Sequence, residues 1–273
     1  MNKAKGCFIT ILIIFILIVF GLLCVSVTDL NPIGKNILIL GVDEREGKSE
    51  LNNTDTIIIY HISSLGEKDC LISIPRDTRR AGLEEYGIPK INAAYAYGGE
   101  EMIKKEIHEL TGVEADRIAI IDFNGFKEII DVLGGVRITV EEPLDDELSG
   151  AHFEPGTYDM SGEQALSFAR CRATKGGDID RMARQQYMIN EVIKQKFNLS
   201  IISKTSRLIE ILNRRTQTDF TIWDFCSIGF MLLFSSKDIN RVTIPTVSAN
   251  IDNISFQIAD EEEVKDFLSD YLK

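Results

Sequence analysis

Three short apolar runs constrain this 273-residue chain more than any other feature. They are residues 36–42 (NILILGV), 55–62 (DTIIIYHI) and 70–74 (CLISI). None alternates strictly between apolar and polar residues, so each reads as a strand buried on both faces. Such strands need cover on both sides, and the chain offers helices to provide it. Met102, Ile103, Ile107 and Leu110 have helical spacing within residues 99–110, with Gly112 as a stop. Residues 118–123 (IAIIDF) form another strand. Asn124 is the expected cap of a helix over 125–133, Gly134-Gly135 ends it, and residues 136–140 are a strand. This alternation predicts an α/β layered sheet with helices on its faces.

Further along, residues 141–156 read as an acidic loop. Ser161 and Gln164 have capping-box spacing for a helix that reaches about Phe168. Asp178 or Asp180 caps the next helix, which runs to about Asn198 with Met182, Ile189, Val192, Ile193 and Phe197 on its apolar face. Helices over about 204–213, 222–233 and 260–272 and a strand over 241–244 complete the expected elements.

The N-terminus stands apart. Residues 7–27 carry no charge for 21 positions, enough to cross about 30 Å of hydrocarbon as a helix. Lys3 and Lys5 precede this run and no Lys or Arg follows before Lys35. That places residues 1–6 in the cytoplasm, 7–27 in the membrane as a signal-anchor, 28–35 in a linker, and a domain over 36–273 outside the cell. A cleaved signal peptide is the competing reading, but the run is long for one and no A-x-A site follows. Leu23 before Cys24 is too large for a lipidation site. With a net charge of −12 the chain is not a general nucleic-acid binder, so any polyanion must be held in a local basic pocket. Cys70, Cys171 and Cys226 are odd in number and irregular in spacing, which indicates neither a disulfide framework nor a zinc site. His61, His108 and His152 are isolated and read as packing or surface residues.

A basic knot interrupts this acidic chain. Pro75 ends the third strand, and Arg76, Asp77, Thr78, Arg79 and Arg80 follow, with Lys90, Asn92 and Tyr95 beyond. Arg170/Arg172 and Arg181/Arg184 are two further pairs next to loops. If the three segments converge, their guanidinium forks make an anion site suited to phosphate. The alternative is a structural salt-bridge cluster, for which Asp77, Asp178 and Asp180 supply acids. Asp43 follows the first strand and Asp55 enters the second. If those strands are antiparallel neighbours, both carboxylates reach one end of the sheet, where beside a phosphate they suit Mg²⁺. Otherwise Asp43 makes a turn and Asp55 caps a strand.

Seven motifs then fall in a familiar order: GVDER, NTDT, SIPRDT, KINAAYAYGG, the DFNGF…LGGV run, SGEQALSFARCR and GDIDRMARQQ. Over residues 36–197 the chain resembles the LytR–CpsA–Psr family of cell-wall glycopolymer ligases. The resemblance implies a three-layer α/β/α sandwich around a central mixed sheet. It implies a membrane-anchored, magnesium-dependent phosphotransferase that moves an anionic glycopolymer, of teichoic acid or capsule type, from a polyprenyl-diphosphate carrier to peptidoglycan. Carried over by motif, Asp43 and Asp55 would hold the metal. Arg76, Arg80, Arg170, Arg172, Arg184, Gln185, Lys90 and Asn92 would bind the diphosphate. Arg76, Asp77 and Asp55 would be catalytic. Asn53 stands where the family usually has Arg, which removes one phosphate ligand. That departure motivates a second reading, a non-transferring polyprenyl-diphosphate-binding regulator of the envelope. A third is a lipid diphosphatase.

Overall fold

The computed structural model describes residues 35–43, 53–63, 67–218, 220, 224, 228–229, 232 and 238–272. The expected cytoplasmic tail, membrane anchor and all of the linker but Lys35 lie outside these residues, as does most of the helix expected over 222–233. Among the described residues no helix is long and apolar enough to cross a membrane.

The three apolar runs form β1 (Lys35–Val42), β2 (Thr54–Ile62) and β3 (Cys70–Ser73). They are the centre of a six-stranded sheet ordered β10-β3-β2-β1-β4-β9, where β4 is Arg117–Asp122, β9 Thr216–Thr218 and β10 Asn240–Thr243. β1 pairs antiparallel with β2 and parallel with β4, so the sheet is mixed, as expected. Alternate side chains go to opposite faces. On one, Leu38, Leu40, Ile57 and Ile72 meet Ile103 and Ile107 of α1 (Ala94–Thr111), with Val264 and Leu268 of the last helix (Glu261–Ser269). On the other, Ile37, Ile58 and Tyr60 meet Ile193 of a long helix, Asp178–Lys196. Helices therefore cover both faces.

Residues beyond β4 build a second core. Its elements are α2 (Phe123–Val132), β5 (Val136–Val140), β6 (Leu144–Asp146), β7 (Ala151–Phe153), β8 (Gly156–Met160) and α3 (Gly162–Arg170). The helix Asp178–Lys196 is α4. Its Met188 and Val192 face this second core, while Ile189 and Ile193 face the sheet, so one helix serves two cores. Thr205–Arg215 is α5, and Glu261–Ser269 is α6.

Several expectations need correction. Residues 136–140 do not join the central sheet, because β5 pairs with β8. The acidic loop contains the β6–β7 hairpin, whose apolar Leu144, Ala151 and Phe153 give it an inner face. Asp122, not Asn124, caps α2, its carboxylate accepting from the Gly125 N–H. Gly177 rather than an aspartate occupies the cap of α4, and Asp178 lies in the first turn. α1 starts earlier than expected, crossing a kink at Gly98 and Gly99 that breaks the periodicity. The Ser161–Gln164 capping box forms as read. The hairpin β11 (Val247–Ile251) and β12 (Ile254–Ile258) has no counterpart in the sequence reading.

The second core depends on close approach of α3 to α2. At Gly162 a Cβ would lie 2.3 Å from the Lys127 carbonyl oxygen, which is backbone and cannot rotate away. Gly162→Ala is expected to lower the unfolding free energy by about 2 kcal/mol, as overpacking typically does, and denaturant unfolding measures it.

Candidate active site

The sheet brings its chemistry to one edge. Val42 is registered with Thr54 of β2 and Asp122 of β4, so Asp43, Asp55 and the start of α2 share that end. β3 runs antiparallel to β2 and delivers Arg76 and Asp77 to the same place through Pro75. The antiparallel condition on Asp43 and Asp55 is met.

Arg76 and Asp55 form the central ion pair, Nη1 to Oδ1. Asp77 lies beside them, its Oδ2 3.9 Å from Arg76 Nε and its Oδ1 accepting from Lys90 Nζ at 2.8 Å. Arg172, 44% exposed, extends Nη2 to 3.9 Å from Asp55 Oδ1 and Nε to 3.6 Å from Asp178 Oδ1. Arg181 is only 3% exposed; its Nη2 donates to the Asp55 carbonyl at 3.1 Å and lies 2.9 Å from Asp178 Oδ1. Arg184 donates to the Cys171 carbonyl, next to Arg172. Arg170 stacks 4.4 Å over the ring of Phe123, the residue that follows Asp122 at this edge. Three elements thus converge: the segment after β3, the loop after α3 and the first turns of α4.

Other residues set the frame. The Asn92 N–H donates to the Arg76 carbonyl at 3.1 Å, so Asn92 fixes the backbone that carries the arginine. Gln185 ties α4 to α3 through the Ala169 carbonyl at 3.4 Å. Asp146 of β6 accepts the Arg172 N–H at 2.8 Å. From the C-terminal hairpin, the Gln257 N–H donates to the Asp77 carbonyl at 3.0 Å, and its carbonyl accepts from Arg79 N at 2.9 Å. Lys90 Nζ lies 5.5 Å from the centre of the Phe256 ring. The hairpin, for which the sequence offered no motif, therefore holds the Asp77–Lys90 pair.

Arg80 is not brought to this site. Its side chain, 7% exposed, gives Nε to Glu106 at 2.8 Å, Nη1 to Glu261 at 2.7 Å and Nη2 to Glu109 at 3.3 Å. Three carboxylates occupy its donors between α1 and α6, and for this residue the salt-bridge alternative describes the structure. The neighbouring position Arg76 goes the other way because the chain turns at Pro75–Thr78.

For the remaining arginines the donor count favours an anion site. The Nε–H groups of Arg76, Arg181 and Arg184 are buried without a hydrogen-bond partner. Asp178 Oδ1, in the same cluster, is likewise buried without a hydrogen-bond partner, and unpaired buried polar atoms are costly and rare, so the cluster is one where a ligand's polar groups would find partners. The positive end of the α4 dipole adds to the same field. Burial raises the Asp178 carboxyl above the ordinary range; Asp77 and Asp55 add to this, and Arg76 and Arg172 oppose it. Asp178 and Arg181 are members that the motif reading left out of its binding set, although their i, i+3 spacing at a helix start was visible.

Asp43 and Asp55 offer hard oxygen donors. Among the described residues no group of three or more His, Cys, Asp or Glu side chains is arranged to hold a metal ion. Two carboxylates are short of a closed cage, which is how magnesium sites that share phosphate oxygens and water are built. The donor set fits that ion. Cys70 and Cys171 are buried and free.

A mixed α/β domain thus carries a cluster of arginines and aspartates at one edge of its sheet. The chain belongs to the LytR_cpsA_psr family, whose description matches residues 27–272. It is 30% identical over 247 residues to the regulatory protein MsrR of Staphylococcus aureus strain COL, covering 86% of this chain and 74% of that one. It is 31% identical over 231 residues to the polyisoprenyl-teichoic acid–peptidoglycan teichoic acid transferase TagU of Halalkalibacterium halodurans, covering 84% and 75%. Among solved structures, TagV of B. subtilis superposes with a TM-score of 0.74 at 26% identity over 89% of this chain and 98% of that one.

Two outcomes are expected. Arg80→Ala strands buried Glu106 and lowers stability by about 3 kcal/mol, while affinity for a lipid diphosphate stays within twofold at a temperature where the variant is folded. Asp146 is held below the ordinary carboxylate range, first by the Arg172 N–H, which outweighs the opposing effect of burial, and then by Ser149 and Leu148. A depressed folded value contributes stability above the unfolded value of about 3.9 and loses it as pH falls through the folded one. Asp146→Asn therefore costs stability at pH 6 and progressively less below pH 4, as paired denaturation curves will show.

Proposed function

We propose that this chain transfers an anionic glycopolymer from a polyprenyl-diphosphate carrier to peptidoglycan through a phosphodiester bond. The observation that carries the reading is the convergence of Arg76, Arg172 and Arg181 on Asp55 and Asp178 at one sheet edge, with the buried Nε–H groups of Arg76, Arg181 and Arg184 left without a hydrogen-bond partner. The printed name of the TagU relative, a teichoic acid–peptidoglycan transferase, supports the same chemistry.

In this reading Arg76, Arg172, Arg181 and Arg184 bind the diphosphate oxygens, and Arg170 adds charge from its place over Phe123. Lys90 and Asn92 act through Asp77 and the Arg76 backbone. Asp43 and Asp55 would hold Mg²⁺, which when bound neutralises phosphate charge. An acceptor hydroxyl attacks the sugar-proximal phosphorus. The bond from that phosphorus to the bridging oxygen breaks, and polyprenyl phosphate leaves. The hydroxyl proton passes to the carboxylate cluster, in which Asp55, Asp77 and Asp178 are all partly exposed and Asp55 or Asp77 takes it. Phosphoryl transfer of this kind rests on positioning and charge neutralisation more than on covalent chemistry. The anchor over residues 7–27 would keep the domain outside the cell beside its lipid carrier.

A second reading is favoured by Asn53, exposed two residues before Asp55, and by the printed name of the S. aureus relative, a regulatory protein. There the cleft binds the lipid diphosphate without transferring it.

The full chain in detergent, given a lipid-diphosphate-linked oligosaccharide and a peptidoglycan oligomer, tests both. A phosphodiester-linked product that is lost on adding a chelator and falls at least about 100-fold in Arg76→Ala is expected. Free glycan phosphate without linkage would indicate the diphosphatase. Tight donor binding with neither product would support the regulator, and Asn53→Arg would then restore transfer.

A further inference from the structure

We propose that Tyr86 and Tyr97, with Ile88, form a platform for the neutral N-acetylhexosamine rings of the acceptor glycan. This deepens the transfer reading above and rests on it for the word acceptor. The two tyrosine rings are stacked, with centroids 5.8 Å apart and planes 22° from parallel. Tyr86 is 48% exposed and Ile88 49% exposed, so ring face and aliphatic side chain both meet solvent. Flat aromatic surface of this kind complements the C–H faces of pyranose rings, and the hydroxyl tips remain available for hydrogen bonds.

The arrangement is built rather than incidental. The Tyr97 hydroxyl donates to the Ile88 carbonyl at 3.3 Å. Gly87 lies between the two exposed residues with φ at 141°, and a Cβ there would stand 2.8 Å from Tyr97 Oη. The positive φ is a conformation that favours glycine at this turn between Tyr86 and Ile88. The platform is also continuous with the candidate active site. The Ile88 carbonyl that holds Tyr97 accepts from Lys90 N at 2.8 Å, and Lys90 Nζ bonds Asp77 at 2.8 Å.

Charge selects between the two saccharides of the reaction. Glu84 and Glu85 lie beside the platform; the Glu85 carboxylate raises the Tyr86 hydroxyl above the ordinary phenol range, and Glu84 pairs with Arg79 at 2.5 Å. With Glu84 neutralised by Arg79, Glu85 is the charge next to the Tyr86 ring; a carboxylate there disfavours an anionic glycopolymer and accepts hydrogen bonds from the hydroxyl and acetamide groups of a neutral sugar. The donor polymer is therefore placed elsewhere and the acceptor strand here.

The test uses the full chain in detergent and a β-1,4-linked N-acetylglucosamine tetramer as the probe, titrated by calorimetry. Tyr86→Ala should weaken binding about tenfold, and Tyr86→Phe, which keeps the ring, should stay within about twofold of wild type. Binding of a lipid diphosphate should be unchanged in both variants, which shows that the cleft remains folded. Equal tetramer affinity in wild type and Tyr86→Ala overturns the proposal, as does a wild type that binds no tetramer. If tetramer binding depends on Tyr86 but no transfer or donor binding occurs, the reaction assignment fails and the saccharide platform stands.

Discussion

The pairing of Asp55 with Arg76 sits where three demands on the chain meet. Asp55 enters β2 at the edge where β1 and β4 end, and Arg76 leaves β3 at that edge, so their contact reports the antiparallel register of the central strands. Arg172 and Arg181 approach the same aspartate from the other side, one at its carboxylate and one at its carbonyl. Within this crowd the Nε–H groups of Arg76, Arg181 and Arg184 stay without a hydrogen-bond partner, as does Asp178 Oδ1. Asp178, whose carboxyl burial pushes upward, is itself a compromise in that field. Unpaired buried polar atoms of both kinds are costly, and such a cost is concentrated where a site meets its ligand.

Around that centre the molecule separates support from chemistry. Arg80, four residues from Arg76, is spent on Glu106, Glu109 and Glu261, and so fastens α1 and α6 to the segment after β3. On the far side of the same segment, β12 continues the pairing through Thr78 and Gln257. The C-terminal part of the chain, which carries no motif, thus clamps both flanks of the arginine segment. α4 does comparable work from the opposite face: its first turns carry Asp178, Arg181 and Arg184, and its middle is divided between two apolar cores.

Parts of this were legible in the residues. Uninterrupted apolar runs mark strands covered on both faces, and those three strands are the middle of the sheet. The Ser161–Gln164 spacing is a local signal, satisfied within one turn, and it formed as read. The peripheral hairpins were harder, since β6 and β7 are three residues each and draw their stability from Phe168 and Met188, far away in sequence. The cap of α2 was misplaced by two positions because Asp122 and Asn124 are both good caps, and the end of β4 decides between them.

By itself, the sequence determined the α/β class, the family motifs and the collection of arginines and aspartates that an anion site requires. Those follow from composition and spacing, which act over a few residues. Only the tertiary structure decided which arginines serve the cleft. Arg76 and Arg80 come from one short basic run, yet the turn at Pro75–Thr78 and the carboxylates of α1 and α6 send them to opposite fates. The same holds for Asp178 and Arg181, whose spacing says that they share a helix face but not what that face meets. Long-range contacts set the destination of a charged side chain, because it is the partner's position, and not the residue type, that decides whether a guanidinium is neutralised or left to bind a ligand.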